Sequence, residues 1–419
     1  MSTRHSVPPQ PDLRQPAALL AHMRHTLDFY APRARDASGG FFHFFKDDGT
    51  VYDARSRHLV SSTRFVFNQA LAWRWFGEPA ADVAHALAFV RHAHAQSQGG
   101  YAWLLDWQEG QARVLDGTHH CYGLAFVLLA HAHAAQAGVP GALAGLVETF
   151  ELMERRFWQA EHGLYADEAT PDWTLQPYRG QNANMHACEA MLAAHAATGE
   201  ARYLARALVL AQSITQRQAA LADGLIWEHY HADWTPDWDY NRHDKTNIFR
   251  PWGYQTGHLT EWAKLLLQLE RRLGAEAPDW LYRTARHLFD TAMVQGWDHE
   301  HGGLVYGFGP DRQVCDGDKY FWVQAESLAA AAWLAVRSGN EADWQWYDRI
   351  WAYAWAHFVD HEHGAWFRML SPENGKLSDE KSPAGKTDYH TMGACQDVLA
   401  ALGVQPPVPP ASAAPSLPA

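Results

Sequence analysis

The chain is short of several residue patterns, and each shortage removes a class of function. Cysteine is scarce: Cys121, Cys188, Cys315 and Cys395 are the four in 419 residues, and none has C-x-x-C spacing. Reduced thiols in a cytoplasmic protein are the expectation. No run of eighteen apolar residues free of charge occurs, so no membrane-spanning helix is expected. Met1 to Gln15 is polar, carries three prolines and lacks the apolar run of a signal peptide. Basic residues are outnumbered, 34 Lys and Arg against 47 Asp and Glu, for a formal charge of −13. That balance disfavours nucleic acid or an anionic membrane surface as partner. The phosphate loop G-x-x-x-x-G-K-[ST], the dinucleotide fingerprint G-x-G-x-x-G and the nucleophile elbow G-x-S-x-G are all missing.

What is present is apolar, aromatic and periodic. Apolar residues make up 47% of the chain and charged residues 19%, which suits a large core. Trp (20) and His (26) are both over-used. Core packing is the ordinary role of any one Trp; in a cup, a Trp face also stacks on the CH groups of a pyranose. With so many His, position must decide which matter.

Six times a Gly-rich turn runs into a short aromatic strand and then an apolar helix. The copies are Gly39-Gly40-Phe41-Phe42, Gly99-Gly100-Tyr101-Ala102-Trp103, Gly163-Leu164-Tyr165, Gly224-Leu225-Ile226-Trp227, Gly302-Gly303-Leu304-Val305-Tyr306 and Gly364-Ala365-Trp366-Phe367. The steps are 60, 63, 61, 79 and 61 residues, a regularity that argues repeat architecture. Each period holds two helices. Six helix pairs closing on themselves predict an all-α (α/α)6 barrel with short β-hairpins at the helix ends. Outer helices are expected near 16–32, 80–96, 141–158, 200–217, 277–295 and 342–359, where apolar residues recur at three- and four-residue steps. Inner helices are expected near 63–76, 119–135, 183–197, 254–272, 320–337 and 389–402. One domain, 15–403, is expected between a disordered N-terminal segment, 1–14, and a disordered Pro/Ala-rich tail, 404–419. The insertions 228–250 and 371–387 are long for a compact domain and should overhang the cup.

The residues that matter in such a barrel stand where the inner helices begin. In order they are Arg64 and Asn68; His119, His120 and Tyr122; Arg179, Asn182, Asn184 and His186; Arg250, Trp252, His258 and Glu261; Lys319, Trp322 and Glu326; and His390. Imidazoles, carboxylates, arginine and amides suit a neutral polyhydroxylated ligand and proton transfer. His186-x-x-Glu189 and His258-x-x-Glu261 place each pair on one helix face. Such a pair reads as an oriented base, as half of a metal site, or as a surface pair. His299-Glu300-His301 and His361-Glu362-His363 occupy outer-turn positions and read as solvated turns.

Arg179-Gly-Gln-Asn-Ala-Asn-Met-His186-Ala-Cys-Glu-Ala resembles the third inner helix of the N-acylglucosamine 2-epimerase superfamily. Trp252-Gly-Tyr-Gln-Thr-Gly-His258-Leu-Thr-Glu261-Trp resembles its fourth, Tyr320-Phe-Trp-Val-Gln-Ala-Glu326-Ser its fifth, and Asp388-Tyr-His390-Thr-Met its sixth. The wording is closest to the aldose–ketose isomerase branch, the D-mannose and sulfoquinovose isomerases. The resemblance implies an (α/α)6 barrel and catalysis without metal or nicotinamide. It implies His258 and His390 as paired acid/base residues, with His186 assisting ring opening or holding the sugar. Glu261 and Glu326 would orient a His or bind hydroxyls. Arg64 would face O1 and O2, and Tyr122, Asn182, Trp322 and, less directly, Arg250 would contact substrate.

The expectation is therefore an enzyme converting D-mannose to D-fructose through a cis-enediol, with D-lyxose to D-xylulose as a side activity. Its partner is a small monosaccharide, and the protein is a monomer or homodimer. A 2-epimerase would use the same histidines from opposite faces. A sulfoquinovose isomerase needs a cation for the sulfonate, offered by Arg179, Arg242, Lys245, Arg250 or Lys319. An (α/α)6 glycosidase or lyase would use Glu261 and Glu326 and leave the paired His unexplained. A sugar-binding or scaffold protein would not need three cup His and an Arg.

Overall fold

A computed structural model describes residues 7–244, 247 and 249–408. Its helices, in chain order, are α1 (Pro16–Tyr30), α2 (Leu59–Phe76), α3 (Ala80–Ala93), α4 (Cys121–Gln136), α5 (Ala142–Arg156) and α6 (Gln181–Thr198). Then come α7 (Ala201–Gln212), α8 (Thr256–Leu273), α9 (Trp280–Gly296), α10 (Phe321–Ser338), α11 (Glu341–His357) and α12 (Tyr389–Ala401). Even-numbered helices form a closed inner ring and odd-numbered ones an outer ring. This is the (α/α)6 barrel that the repeat predicts. The first five inner helices run through short turns into their outer neighbours, and Gly77, Gly199 and Gly339 end three of them in the left-handed conformation. The sixth pair is made by the chain's two ends, α12 against α1.

Two helix boundaries depart from expectation. α2 begins at Leu59, because the His58 ring accepts from the Val60 amide at 3.2 Å. The run Leu-Val-Ser-Ser reads as extended in isolation, and packing overrides that propensity. α7 stops at Gln212 and continues as a π-turn, Ser213–Gln218.

The long connections all lie at the end where inner helices start. The strand entering each inner helix pairs with the strand after the next Gly turn: Ser56–His58 with Leu104–Gln108, His119–His120 with Glu168–Ala169, and Arg179–Gly180 with His229–Tyr230. Tyr254–Gln255 pairs with Gly307–Phe308, and Lys319–Tyr320 with Met369–Leu370. Glu380–Ser382 then pairs back to Phe44–Lys46, so the strand ring closes as the helix ring does. A buried cation beside three of these strands locks a turn: Arg57 to Asp36 at 2.6 Å, Lys319 to Asp298 at 2.8 Å and Lys381 to Asp360 at 2.5 Å. Asp298 and Asp360 also accept turn amides, so His299-Glu300-His301 and His361-Glu362-His363 are turn residues.

The core is aromatic. Trp227, Trp234, Trp262, Trp351 and Trp366 are fully buried, each contributing at most roughly 4–6 kcal/mol of transfer free energy. Residues 7–14 of the N-terminal segment lie against α11, where Trp355 donates to the Pro8 carbonyl at 2.8 Å and Tyr347 to that of Leu13 at 2.6 Å. The tail's last eleven residues, 409–419, lie outside the described residues. Among the described residues no helix is long and apolar enough to cross a membrane.

Candidate active site

α6, α8, α10 and α12 bring three histidines and three carboxylates into one buried cup, and the segment after the fourth Gly turn adds a fourth carboxylate, Glu228. His390, in the first turn of α12, is set by Asp388, whose φ of 52° is left-handed. Such a backbone is costly outside glycine and persists only where neighbours hold it. Here Tyr30 and Thr391 donate to the Asp388 carboxylate at 2.6 and 2.9 Å. His390 Nδ1 lies 2.7 Å from Glu326 Oε1. The other oxygen of Glu326 takes the Lys264 ammonium at 2.6 Å, and Lys264 also reaches Asp397 at 3.1 Å.

His258 is held the same way by a different carboxylate. Its Nδ1 is 2.9 Å from Glu228 Oε1, and the Gln181 side-chain amide donates to the other Glu228 oxygen at 2.9 Å. The indole of Trp322 neighbours both histidines, 5.1 Å from the His258 ring and 5.7 Å from that of His390. A carboxylate partner makes Nδ1 the donor, which leaves Nε2 as the basic nitrogen.

His186 donates to Glu189 at 2.9 Å, as its helix spacing predicts, and Tyr389 donates to the other oxygen of Glu189 at 2.6 Å. The second pair of the same spacing does not form. His258 is turned toward Glu228, and Glu261 faces His186 at 3.8 Å. A shared helix face fixes neither rotamer, and a stronger partner arrives from another segment. Glu261 is fully buried, with neither oxygen hydrogen-bonded.

Burial governs the proton affinities. It pushes the Glu261 carboxyl well up, Glu326 adds to this, and Lys264 opposes it. Burial, then the charges of Arg64 and Lys386, hold His390 well below the ordinary imidazole range. Burial also lowers His186, against the raising effect of Glu189. Lys264 is pushed well up despite burial, by Glu326 and Asp397.

Arg64 is buried under the cup with its guanidinium 4.6 Å from the Phe126 ring and 4.7 Å from that of Tyr389. It donates to the Gly385 carbonyl and, at 3.4 Å, to the Tyr122 hydroxyl. No carboxylate lies within ion-pair distance of it among the described residues. Tyr122 stands edge-on to His186 at 5.1 Å. Asn182 and Arg250 line, with Tyr122 and Phe249, a cavity of about 300 Å3 at the mouth. Arg250 is bound to Glu168 at 2.7 Å and stacked 3.8 Å from Tyr178, so its charge is answered there.

Several helix-start candidates serve the frame instead. His119 stacks on Trp173 at 3.7 Å, Asn184 bonds the Tyr165 backbone, and Trp252 bonds the Trp238 carbonyl. Of the cations considered for a sulfonate, Arg179 is engaged by Gln159 and backbone carbonyls, Arg242 by Asp239 and Lys319 by Asp298. Lys245 lies outside the described residues.

Residue-by-residue reading missed Glu228, Lys264 and Lys386. Glu228 opens the 228–250 insertion and Lys386 lies next to the last residue of 371–387, so the insertions were the signal for these two, and Lys264 on α8 had none. The Lys386 amine lies 5.6 Å from the Trp322 ring, and burial with Arg64 and Arg368 pushes its pKa well down.

Two sets of ligand atoms are close enough to share a cation: His186, Glu189 and Glu261, and Glu261, Glu326 and His390, each within 4.8 Å of one another. In the second set the Lys264 ammonium already occupies Glu326, which opposes a divalent ion.

Residues 40–394 match the N-acylglucosamine 2-epimerase (GlcNAc 2-epimerase) family. The chain is 50% identical over 388 residues to a D-mannose isomerase of Marinomonas mediterranea, covering 92% of this chain and 97% of that one. It is 38% identical to a D-mannose isomerase of Pseudomonas cannabina pv. alisalensis, covering 82% and 84%. A crystal structure of a D-mannose isomerase superposes with a TM-score of 0.89 at 49% identity, over 93% of this chain and 99% of that one.

Proposed function

The chain belongs to the N-acylglucosamine 2-epimerase family, and from that premise we propose that it interconverts D-mannose and D-fructose. The observation that carries this is the pair His390 and His258. Each is backed by a carboxylate, at 2.7 and 2.9 Å, and both neighbour one indole. A sugar stacked on Trp322 is within reach of both imidazoles.

His258 assists ring opening and then serves the sugar oxygens. His390 Nε2 removes the C2 proton of the open aldose as His258 protonates O1, giving a cis-enediol. The same His390 returns the proton to C1 while O2 gives its proton to His258, and the 2-ketose results. Proximity keeps the proton on one carrier. Arg64, a buried guanidinium without a carboxylate partner among the described residues, meets the oxyanion developing at O1 and O2. His186 and a protonated Glu261 hold hydroxyls, Glu326 orients His390, and Tyr122, Asn182 and Arg250 line the way in. D-Lyxose shares the C2 configuration of D-mannose and lacks C6, so it enters the same chemistry to give D-xylulose.

The test is NMR of the metal-stripped protein with D-mannose in D2O. Fructose supports the proposal. Glucose deuterated at C2, without fructose, replaces it by epimerisation, with His258 as the base on the opposite face. No reaction with D-mannose overturns it.

A further inference from the structure

A cavity lies behind the cup, at the C-terminal ends of the inner helices. It holds about 520 Å3, within the range of small-molecule sites. Its floor is the back of the cup, where Lys264, Glu326 and Glu189 show their other sides. Val404, Gln405 and Pro406 form part of its rim.

The charges around it are unevenly answered. Glu189 is engaged by His186 and Tyr389, Glu326 by His390 and Lys264, and Asp397 by Lys264 and Gln268. Arg74, Arg271 and Arg272 line the same cavity, and among the described residues none has a carboxylate within 4.0 Å. All three stand in the last turn of a helix, where carbonyl ends favour cations. Arg271 uses that position, donating to the Ala400 carbonyl at 2.7 Å. Arg74 has only a 3.4 Å contact with Gln136, and its buried Nε is without a partner. Arg272 shows no hydrogen bond among the described residues. Desolvation lowers the proton affinity of both, and for Arg272 it outweighs the raising effect of Asp397, whose own carboxylate is taken by Lys264.

We propose that this rear cavity is a binding site for a small phosphate-bearing anion, held by Arg74 and Arg272 with Arg271 at its edge. The planar donors of arginine match a phosphate's oxygens in pairs. The site is separate from the cup: the Lys264–Glu326 pair stands between them, so sugar and anion bind together.

The experiment is thermal unfolding and 31P NMR with inorganic phosphate, against chloride at matched ionic strength. The result expected is a saturable rise in Tm with phosphate alone and exchange broadening of the 31P line. Arg74→Gln with Arg272→Gln should weaken the binding at least about tenfold, the loss of about 1.4 kcal/mol. The single variant Arg272→Gln, at an exposed side chain, guards against a double variant that fails to fold, and should weaken it severalfold. Equal effects of phosphate and chloride overturn the proposal, as does undiminished binding in a folded Arg272→Gln. Displacement of phosphate by D-mannose also overturns it, since it would place the anion in the cup.

Discussion

The ammonium of Lys264 lies 2.6 Å from Oε2 of Glu326, the oxygen that does not hold His390. Lys264 is buried on α8, one turn after Glu261. It lowers the proton affinity of Glu326, opposing burial, which raises it by more. Lys264→Met should lower kcat by roughly 10²-fold, within the span of general acid–base effects. KM should hold, because Lys264 acts through Glu326 and lines the rear cavity. Steady-state kinetics on the folded variant check this, and an unchanged kcat would show that His390 needs no help from behind.

Glu228 should matter as much to His258 as Glu326 does to His390. Glu228→Gln keeps the shape and loses the carboxylate that fixes the His258 tautomer. A fall in kcat of roughly 10²-fold is expected. Glu261→Gln, a change at a carboxyl already pushed toward its neutral form, should cost less. The reverse ranking in side-by-side assays would exchange the roles of the two carboxyls.

Lys386 and Arg64 both lower the proton affinity of His390, after burial. Removing one cation therefore raises it. In Lys386→Met the acid limb of kcat/KM should move to higher pH, by up to about one unit. A limb that stays in place, or moves down, would remove Lys386 from the field acting on His390.

Stability should fall in acid for a reason unrelated to catalysis. Burial holds His22 to about 3, His58 to about 3, His94 to about 4 and His133 to about 3, from an ordinary 6.5. Their folded pKa values are depressed bases, so the unfolded chain binds more protons below 6.5. The stability they contribute is present above pH 6.5 and is lost as pH falls toward 3. Tm measured from pH 8 to pH 4 should be level at first and then drop steeply. His22→Gln, which keeps an acceptor for Trp366 Nε1, should shallow the drop.

Chelation offers a check on the cup's two cation-sized clusters. Prolonged EDTA treatment should leave turnover unchanged, because Lys264 already supplies positive charge to Glu326. Loss of activity restored by one divalent ion would assign that ion to His186, Glu189 and Glu261.

The barrel was legible because its signals are local and repeated. Gly turns at near-constant spacing and helix-period apolar residues state the number and order of helices before any contact is known. His186 and Glu189 were legible as a pair for the same reason, since helix geometry alone joins them. His258 and Glu261 have that spacing too, and remain apart.

What sequence alone determined is thus the set of elements and the helix starts that carry the chemistry. Only tertiary structure decided the partners, because hydrogen bonds between ring neighbours depend on rotamers and loops that no local pattern encodes. Glu228 reaches His258 across 30 residues, Glu326 reaches His390 across 64, and Lys264 reaches Glu326 across 62. Such pairings exist only once the ring has closed.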